Sequence, residues 1–325
     1  MHRTKSTCRI VLTVLLVAGC SPRAQGQQEE KPAEIVRPPA VAGGFYPGSP
    51  TALSAMIKSL LEGVPDETIS GEILAAVAPH AGYRYSGKVA AHTHKFIVKA
   101  DFDTAVIIGH DCHIPGTVAL ICPVDYYQTP LGKVAVDREM VAKMVKFHPG
   151  ITTETSIHGR EHTVEVQLPF FQFFKKQCKI VPVLFGNPTV ENCRILADAI
   201  GSAAGDKKVF VLASTDMSHY PSYETARRID QKTLKVIPSL DVEKLFAHLN
   251  ELEVREKIPN LRTSMCARGG VGTAIFFARA RGGNRARVLC YANSGDVPGG
   301  DKSRVVGYGS VVIVREGNAG SATEE

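Results

Sequence analysis

The sequence predicts a layered α/β sandwich, and three observations predict it. Between Gly71 and Val314, short β-branched runs alternate with longer stretches of helical period. No Pro- or Gly-rich linker divides this region, and no internal repeat runs through it. The 325-residue chain is 44% hydrophobic, enough to bury a sizeable core and to exclude a disordered or fibrous class.

Taken in chain order, the first residues stand apart from the fold. Met1 to Arg9 carries three positive charges, and Ile10 to Ala18 is an apolar stretch too short to span a bilayer. Val17-Ala18-Gly19-Cys20 follows, small residues before a cysteine, which is similar to a bacterial lipobox. The expectation is a signal peptide over residues 1–19 and a lipidated Cys20, held at a membrane because each buried CH₂ adds about 0.8 kcal/mol. Ser21 is not acidic, which favours an outer membrane or cell envelope facing the periplasm. Residues 20–36, rich in Gln, Glu and Pro, read as a flexible tether. The folded domain is expected at 37–316, and residues 317–325 read as a frayed tail.

Within the domain, β-branched or apolar runs predict strands at Ile73 to Ala78, Ala105 to Ile108, Val118 to Ile121, Ile180 to Leu184, Val209 to Ala213, Arg287 to Tyr291 and Val305 to Val314. Helical spacing predicts helices at Thr51 to Leu61, Lys88 to Val98, Arg138 to Phe147, Thr163 to Phe174, Val190 to Ala204, Tyr223 to Ile237, Val242 to Leu249 and Val271 to Ala280.

Charge narrows the partners. The formal charge of +6 falls to +3 without Arg3, Lys5 and Arg9, the body has no cluster of Lys and Arg, and Trp is absent. Nucleic acid is therefore not expected; small ligands or protein partners are. Six cysteines remain after Cys8 and Cys20, without CxxC spacing, and Cys122, Cys178, Cys193 and Cys290 read as buried thiols beside apolar runs.

Strand after strand ends in a polar cluster: Pro79-His80-Ala81-Gly82, Gly109-His110-Asp111-Cys112-His113, and Ser214-Thr215-Asp216-Met217-Ser218-His219. Open α/β sheets bind ligands beyond the carboxyl ends of their strands, so one shared pocket is expected, with Tyr291 to Asp296 reaching the same rim. His80, the Cys112/His113 pair and Cys266 offer imidazole and sulfur, which suit Fe(II), Cu or Zn better than Mg²⁺ or Ca²⁺. Cys266 precedes a helix, whose dipole is expected to lower its pKa. Asp216 and His219, three apart, suit a carboxylate-oriented general base.

Each of these residues also has a plainer role open to it: a turn histidine at 80, a loop hydrogen bond at 216 and 219, a buried thiol at 266. Glu161-His162 with Glu165 lacks the second histidine of HExxH, and a solvated helix start competes with any zinc reading. His92 and His94 read as structural, His148 and His158 as surface residues.

Together the ordered blocks carry a resemblance. Ala42-Gly43-Gly44-Phe45-Tyr46-Pro47, Ala78-Pro79-His80-Ala81-Gly82-Tyr83, Gly109 to Pro115, Glu161-His162 with Glu165 and Leu168-Pro169, Ile180-Val181-Pro182-Val183-Leu184, Ser214 to His219, and Cys266 resemble the Memo family, which includes bacterial AmmeMemoRadiSam system protein B, over roughly Arg37 to Val314. The resemblance implies a three-layer sandwich with a mixed central sheet flanked by helices, similar to the catalytic subunit of extradiol ring-cleavage dioxygenases. It also implies iron or copper held by two His and one Cys, with His80 and Cys266 in two of those positions.

Typical members carry Ser-His-His where this chain has Asp111-Cys112-His113. Either Cys112 ligates, or His113 restores a second nitrogen, or binding is weakened. Two thiolates would favour Cu(I) or Zn. The function expected is a redox-active metalloprotein acting on O₂ or a small substrate, with Asp216 and His219 handling protons. A non-catalytic adaptor for a protein partner and a metal-dependent hydrolase are the alternatives.

Overall fold

The computed structural model describes residues 33–174 and 178–317. The expected signal segment, most of the expected tether and nearly all of the expected tail lie outside them. In chain order the strands are β1 (Val36–Arg37), β2 (Glu72–Ala78), β3 (Thr104–Asp111), β4 (Ala119–Ile121), β5 (Tyr126–Thr129), β6 (Gly132–Ala135), β7 (Ile151–Thr153), β8 (Lys179–Phe185), β9 (Val209–Ser214), β10 (Arg285–Asn293) and β11 (Gly307–Arg315). The helices are α1 (Pro50–Glu62), α2 (Tyr83–Ile97), α3 (Arg138–Phe147), α4 (Leu168–Phe174), α5 (Val190–Ala204), α6 (Tyr223–Val236), α7 (Val242–Asn250) and α8 (Arg268–Ala280), and a π turn, Glu251–Arg255, continues α7.

Eight strands form one mixed sheet in the order β10-β11-β2-β9-β3-β8-β4-β7. Its centre, β2, β9, β3 and β8, is parallel, and β11 pairs antiparallel with both β10 and β2. Central strands covered on both faces must be apolar at every position. That is why Ala-Val-Ile runs such as Ala105 to Ile108 and Val209 to Ala213 are buried throughout. Helices α1, α2 and α4 pack together on one side, and α5, α7 and α8, with α3 and α6, cover the other, giving three layers.

Caps set where several helices start: Asp137 accepts from Met140 N at 3.0 Å, Thr189 from Asn192 N at 3.1 Å and Asp241 from Lys244 N at 2.8 Å. A second sheet, β1-β5-β6, sits apart from the first in pairing. Among the described residues no helix is long and apolar enough to cross a membrane.

Parallel pairing brings chemistry to one edge. Ala78 of β2 is in register with Ser214 of β9, and Ile108 of β3 with Ala213, so the segments that follow leave the sheet side by side.

Candidate functional site

His80 is the second residue past β2, and its ring is fixed by the strand beside it. Nδ1 lies 3.0 Å from the Ser214 carbonyl oxygen, which can only accept, so Nδ1 carries the proton. Nε2 is left with its lone pair, 3.2 Å from Cys266 Sγ. Asp216 completes the hold: Oδ1 accepts from His80 N at 2.8 Å, while Oδ2 stands 3.8 Å from His80 Nε2. Behind the ring, Gln167 Nε2 donates to Pro79 O (2.9 Å) and Ser214 Oγ (2.8 Å), and Gln167 Oε1 bonds the buried His94 at 2.8 Å.

Cys266 reaches the cluster on the segment that leads into α8. Its backbone N donates to Asp216 O (3.3 Å), and its sulfur accepts from Asp216 N (3.3 Å). The expected lowering of its pKa by the helix is not found: burial, dominant over the opposing pull of His219, pushes this thiol up. His219 Nε2 stands 3.9 Å from Asp216 Oδ2, too far to bond, and this buried nitrogen has no hydrogen-bond partner among the described residues.

The β3 end behaves differently. Cys112 is half-buried with its sulfur 3.9 Å from His110 Nε2, and burial pushes its thiol up to about 11. His113 is exposed, in the left-handed region at φ 55°. The imidazole from this strand that lies near the cluster is His110, whose pKa is pulled down by burial and, to a lesser extent, by the neighbouring His80. Thus the structure brings His80, Asp216, His219 and Cys266 together, leaves Cys112 at the margin and turns His113 out. Among the described residues no three His, Cys, Asp or Glu side chains form a ready-made metal cage.

Sequence reasoning missed His110 and His162. The His162 ring lies 5.5 Å from that of His80 and 4.8 Å from that of Phe45, and burial pulls its pKa down to about 4. The signal available for His162 was its neighbour Glu165, which is not solvated as expected but buried. Glu165 accepts from Ala40 N (2.7 Å), Val41 N (3.0 Å), Tyr46 OH (2.5 Å) and the Arg37 guanidinium. His158, expected at the surface, is also buried, between Tyr127 OH (2.8 Å) and Leu120 O (3.0 Å). Gly82 lets another stretch of backbone come close. The backbone it admits is that of Phe45, whose oxygen would stand 3.4 Å from a Cβ there and accepts from Tyr83 N at 2.7 Å.

Outside the cluster, Asp230 of α6 is fully buried and accepts from Ser218 N (3.1 Å), Ser218 Oγ (3.0 Å) and Tyr291 OH (2.9 Å). Burial pushes its carboxyl up to about 7. Gly307 must be glycine, since a Cβ would fall 1.9 Å from Asp230 Oδ2. A cavity of about 710 Å³ lies beside Asp216 and His219, walled by Phe45, Tyr85, Tyr220 and Tyr308 and reached by Ser294 of the Tyr291–Asp296 rim and by Val297 just past it.

The class these features define is a three-layer α/β protein with a pocket lined by His162 and His219 and a His80–Cys266 pair beside Asp216, at the carboxyl end of its parallel strands. The sequence model for Memo-like proteins matches residues 37–312. "MEMO1 family" proteins of Archaeoglobus fulgidus (38% identical over 281 residues), Methanopyrus kandleri (35% over 290) and Methanobrevibacter smithii (35% over 291) each align with 86% of this chain and with 99 to 100% of their own length. This chain belongs to the Memo family.

Proposed function

We propose that the protein is a redox-active, mononuclear Fe or Cu metalloprotein acting on O₂ or a small substrate in the 710 Å³ cavity. One observation carries the reading: the Ser214 carbonyl accepts from His80 Nδ1, which in the neutral ring leaves the lone pair on Nε2, 3.2 Å from Cys266 Sγ. An imidazole whose other nitrogen donates to a backbone carbonyl is the usual form of a metal ligand. A separation of 3.2 Å is well within the sum of about 2.0 and 2.3 Å bonds to one ion.

When bound, such an ion would supply one-electron chemistry and an open position for a small molecule. The chain's own residues do the rest. Asp216 orients His80 by accepting from its backbone N–H, and its carboxylate lies between the His80 and His219 rings, 3.8 and 3.9 Å from their Nε2 atoms. His219, at the cavity floor, is placed to take or give a proton there. Phe45, Tyr85 and Tyr308 narrow the cavity and limit water.

The test is anaerobic loading with Fe(II) or Cu(I), elemental analysis and oxygen uptake. About one ion per chain is expected, and His80→Ala and Cys266→Ala should weaken binding by more than the 10- to 100-fold typical of outer-shell changes. Protein that binds neither metal and consumes no O₂ would sink the proposal.

The protein is further proposed to be exported and lipid-anchored through Cys20. In support, relatives matched over nearly their whole length align with only 86% of this chain, and the family match starts at residue 37, past the lipobox-like segment. A chain shortened to begin at Glu34 should then leave the membrane fraction.

A further inference from the structure

We propose that Glu253 is a positioning residue, which clamps the 263–266 segment and thereby holds Cys266 Sγ toward His80 Nε2. The inference rests on the reading of His80 and Cys266 above, and it concerns a residue outside the cavity and its lining. Glu253 lies on the π turn that continues α7, a geometry uncommon in proteins and frequent at functional sites. One of its oxygens, Oε1, gathers four groups of a single segment. Ser264 donates from both its N (2.7 Å) and its Oγ (2.8 Å), the Thr263 hydroxyl stands 3.1 Å away, and the Arg268 guanidinium closes the set. Arg268 Nη1 also donates to Asn250 Oδ1 at 3.1 Å, tying the end of α7 to the start of α8.

Cys266 sits between these anchors, two residues from Ser264 and two from Arg268. The same segment carries His219, whose N donates to Thr263 O at 2.9 Å while Arg262 N donates to His219 O at 3.0 Å. A carboxylate that accepts several charge-assisted hydrogen bonds sets a backbone path more firmly than neutral contacts do. Without it, the Thr263–Cys266 stretch loses this charged anchor and keeps its backbone links to His219, Asp216 and Asp111 and the hydroxyl contacts of Thr263 with Met265 O and of Ser264 with Leu249 O, so the sulfur is held less firmly toward the imidazole. Glu256, three residues on, is the natural comparison, because its carboxylate instead pairs with Arg228 and Lys232 at 3.4 Å on the surface.

Two measurements on the whole chain test the clamp. The first, on metal-free protein, is the iodoacetamide alkylation rate at Cys266 and at Cys112, followed by peptide mass. The second is the thiolate-to-metal charge-transfer band after loading with Co(II). Glu253→Ala should raise the Cys266 rate several-fold, leave Cys112 unchanged and weaken the band, with metal affinity down about tenfold as for other outer-shell losses. Glu253→Gln, which keeps the acceptor oxygen, should recover most of both, and Glu256→Ala should match the unaltered protein. Equal rates at Cys266 in all forms, or a parallel rise at Cys112, would overturn the clamp. If the unaltered protein shows no band at all, it is the metal reading that fails, and the alkylation rates still decide the role of Glu253.

Discussion

His80 owes its usefulness to a carbonyl rather than to another side chain: Ser214 O, at 3.0 Å, decides which ring nitrogen keeps its lone pair. Asp230 shows the opposite case, a buried acid whose contribution depends on pH. Its carboxyl titrates near 7 in the folded chain, against an ordinary value of 3.8, because burial disfavours the charge. Between about pH 4 and pH 7 the folded chain keeps a proton that the unfolded chain has released. The stability tied to this group is therefore full at low pH and is lost as pH rises through 7, at most about 4 kcal/mol for a shift of roughly three units. Asn at this position never ionises. The urea midpoint of the unaltered protein should fall more steeply from pH 5 to pH 8 than that of Asp230→Asn; parallel curves would refute the assignment. His94 and His158, both held near 4 by burial, pull the other way but are common to both proteins and cancel. At this scale the sequence disclosed the residues that directly follow strands, His80, Asp216 and His219. Glu253 and Asp230 stayed hidden because nothing in a helical pattern shows which carboxylate will be turned onto a distant loop.

The N-terminal segment is held by Glu165 more than by β1, which is only two residues long. Arg37, Ala40, Val41 and Tyr46 all donate to that one carboxylate, and the segment they fix carries Phe45 to the cavity wall. Breaking a buried ion pair from one side typically costs about 3 to 5 kcal/mol. Glu165→Gln should fall at the lower end, since Glu161 Oε1 stays 3.7 Å from Arg37, and guanidinium unfolding at unchanged slope would measure it. A cost below about 1 kcal/mol, the range of exposed pairs, would mean the segment is held by its apolar contacts instead. The long elements were legible in the sequence, α3 and α5 to the residue, because a three-turn helix repeats its apolar face several times. β5, β6 and β7, of three or four residues, offer too few alternations to register. The stretch expected as one helix from Thr163 begins instead with a tight 3-10 turn, Glu165–Gln167, where Glu165 and Gln167 point inward to hold the segment and His80's support.

For the molecule as a whole, the compact unit begins at Glu34, which pairs with Lys133, and the first buried ion pair that seals it is that of Arg37 with Glu165. A chain beginning at Glu34 should keep the melting temperature of the full chain, whereas one beginning at Ser49 loses Arg37 and Tyr46 and should melt well below it. Equal melting of all three would show that the strap contributes nothing to the fold. The layer order was legible because central parallel strands are apolar throughout, and their polar endings marked the edge where the site lies. Which ending turns inward was not: His110 and His113 are three residues apart on one polar run, and only the path of β3 separates them.

The strand order has one more consequence. β11, among the last residues of the fold to leave the ribosome, is inserted between β10 and β2 rather than added at an edge. Until translation has passed Arg315, the strand that carries His80 keeps a row of unpaired amides open to any passing chain, so a prematurely terminated product should be captured by chaperones or aggregate rather than persist as a partly working protein.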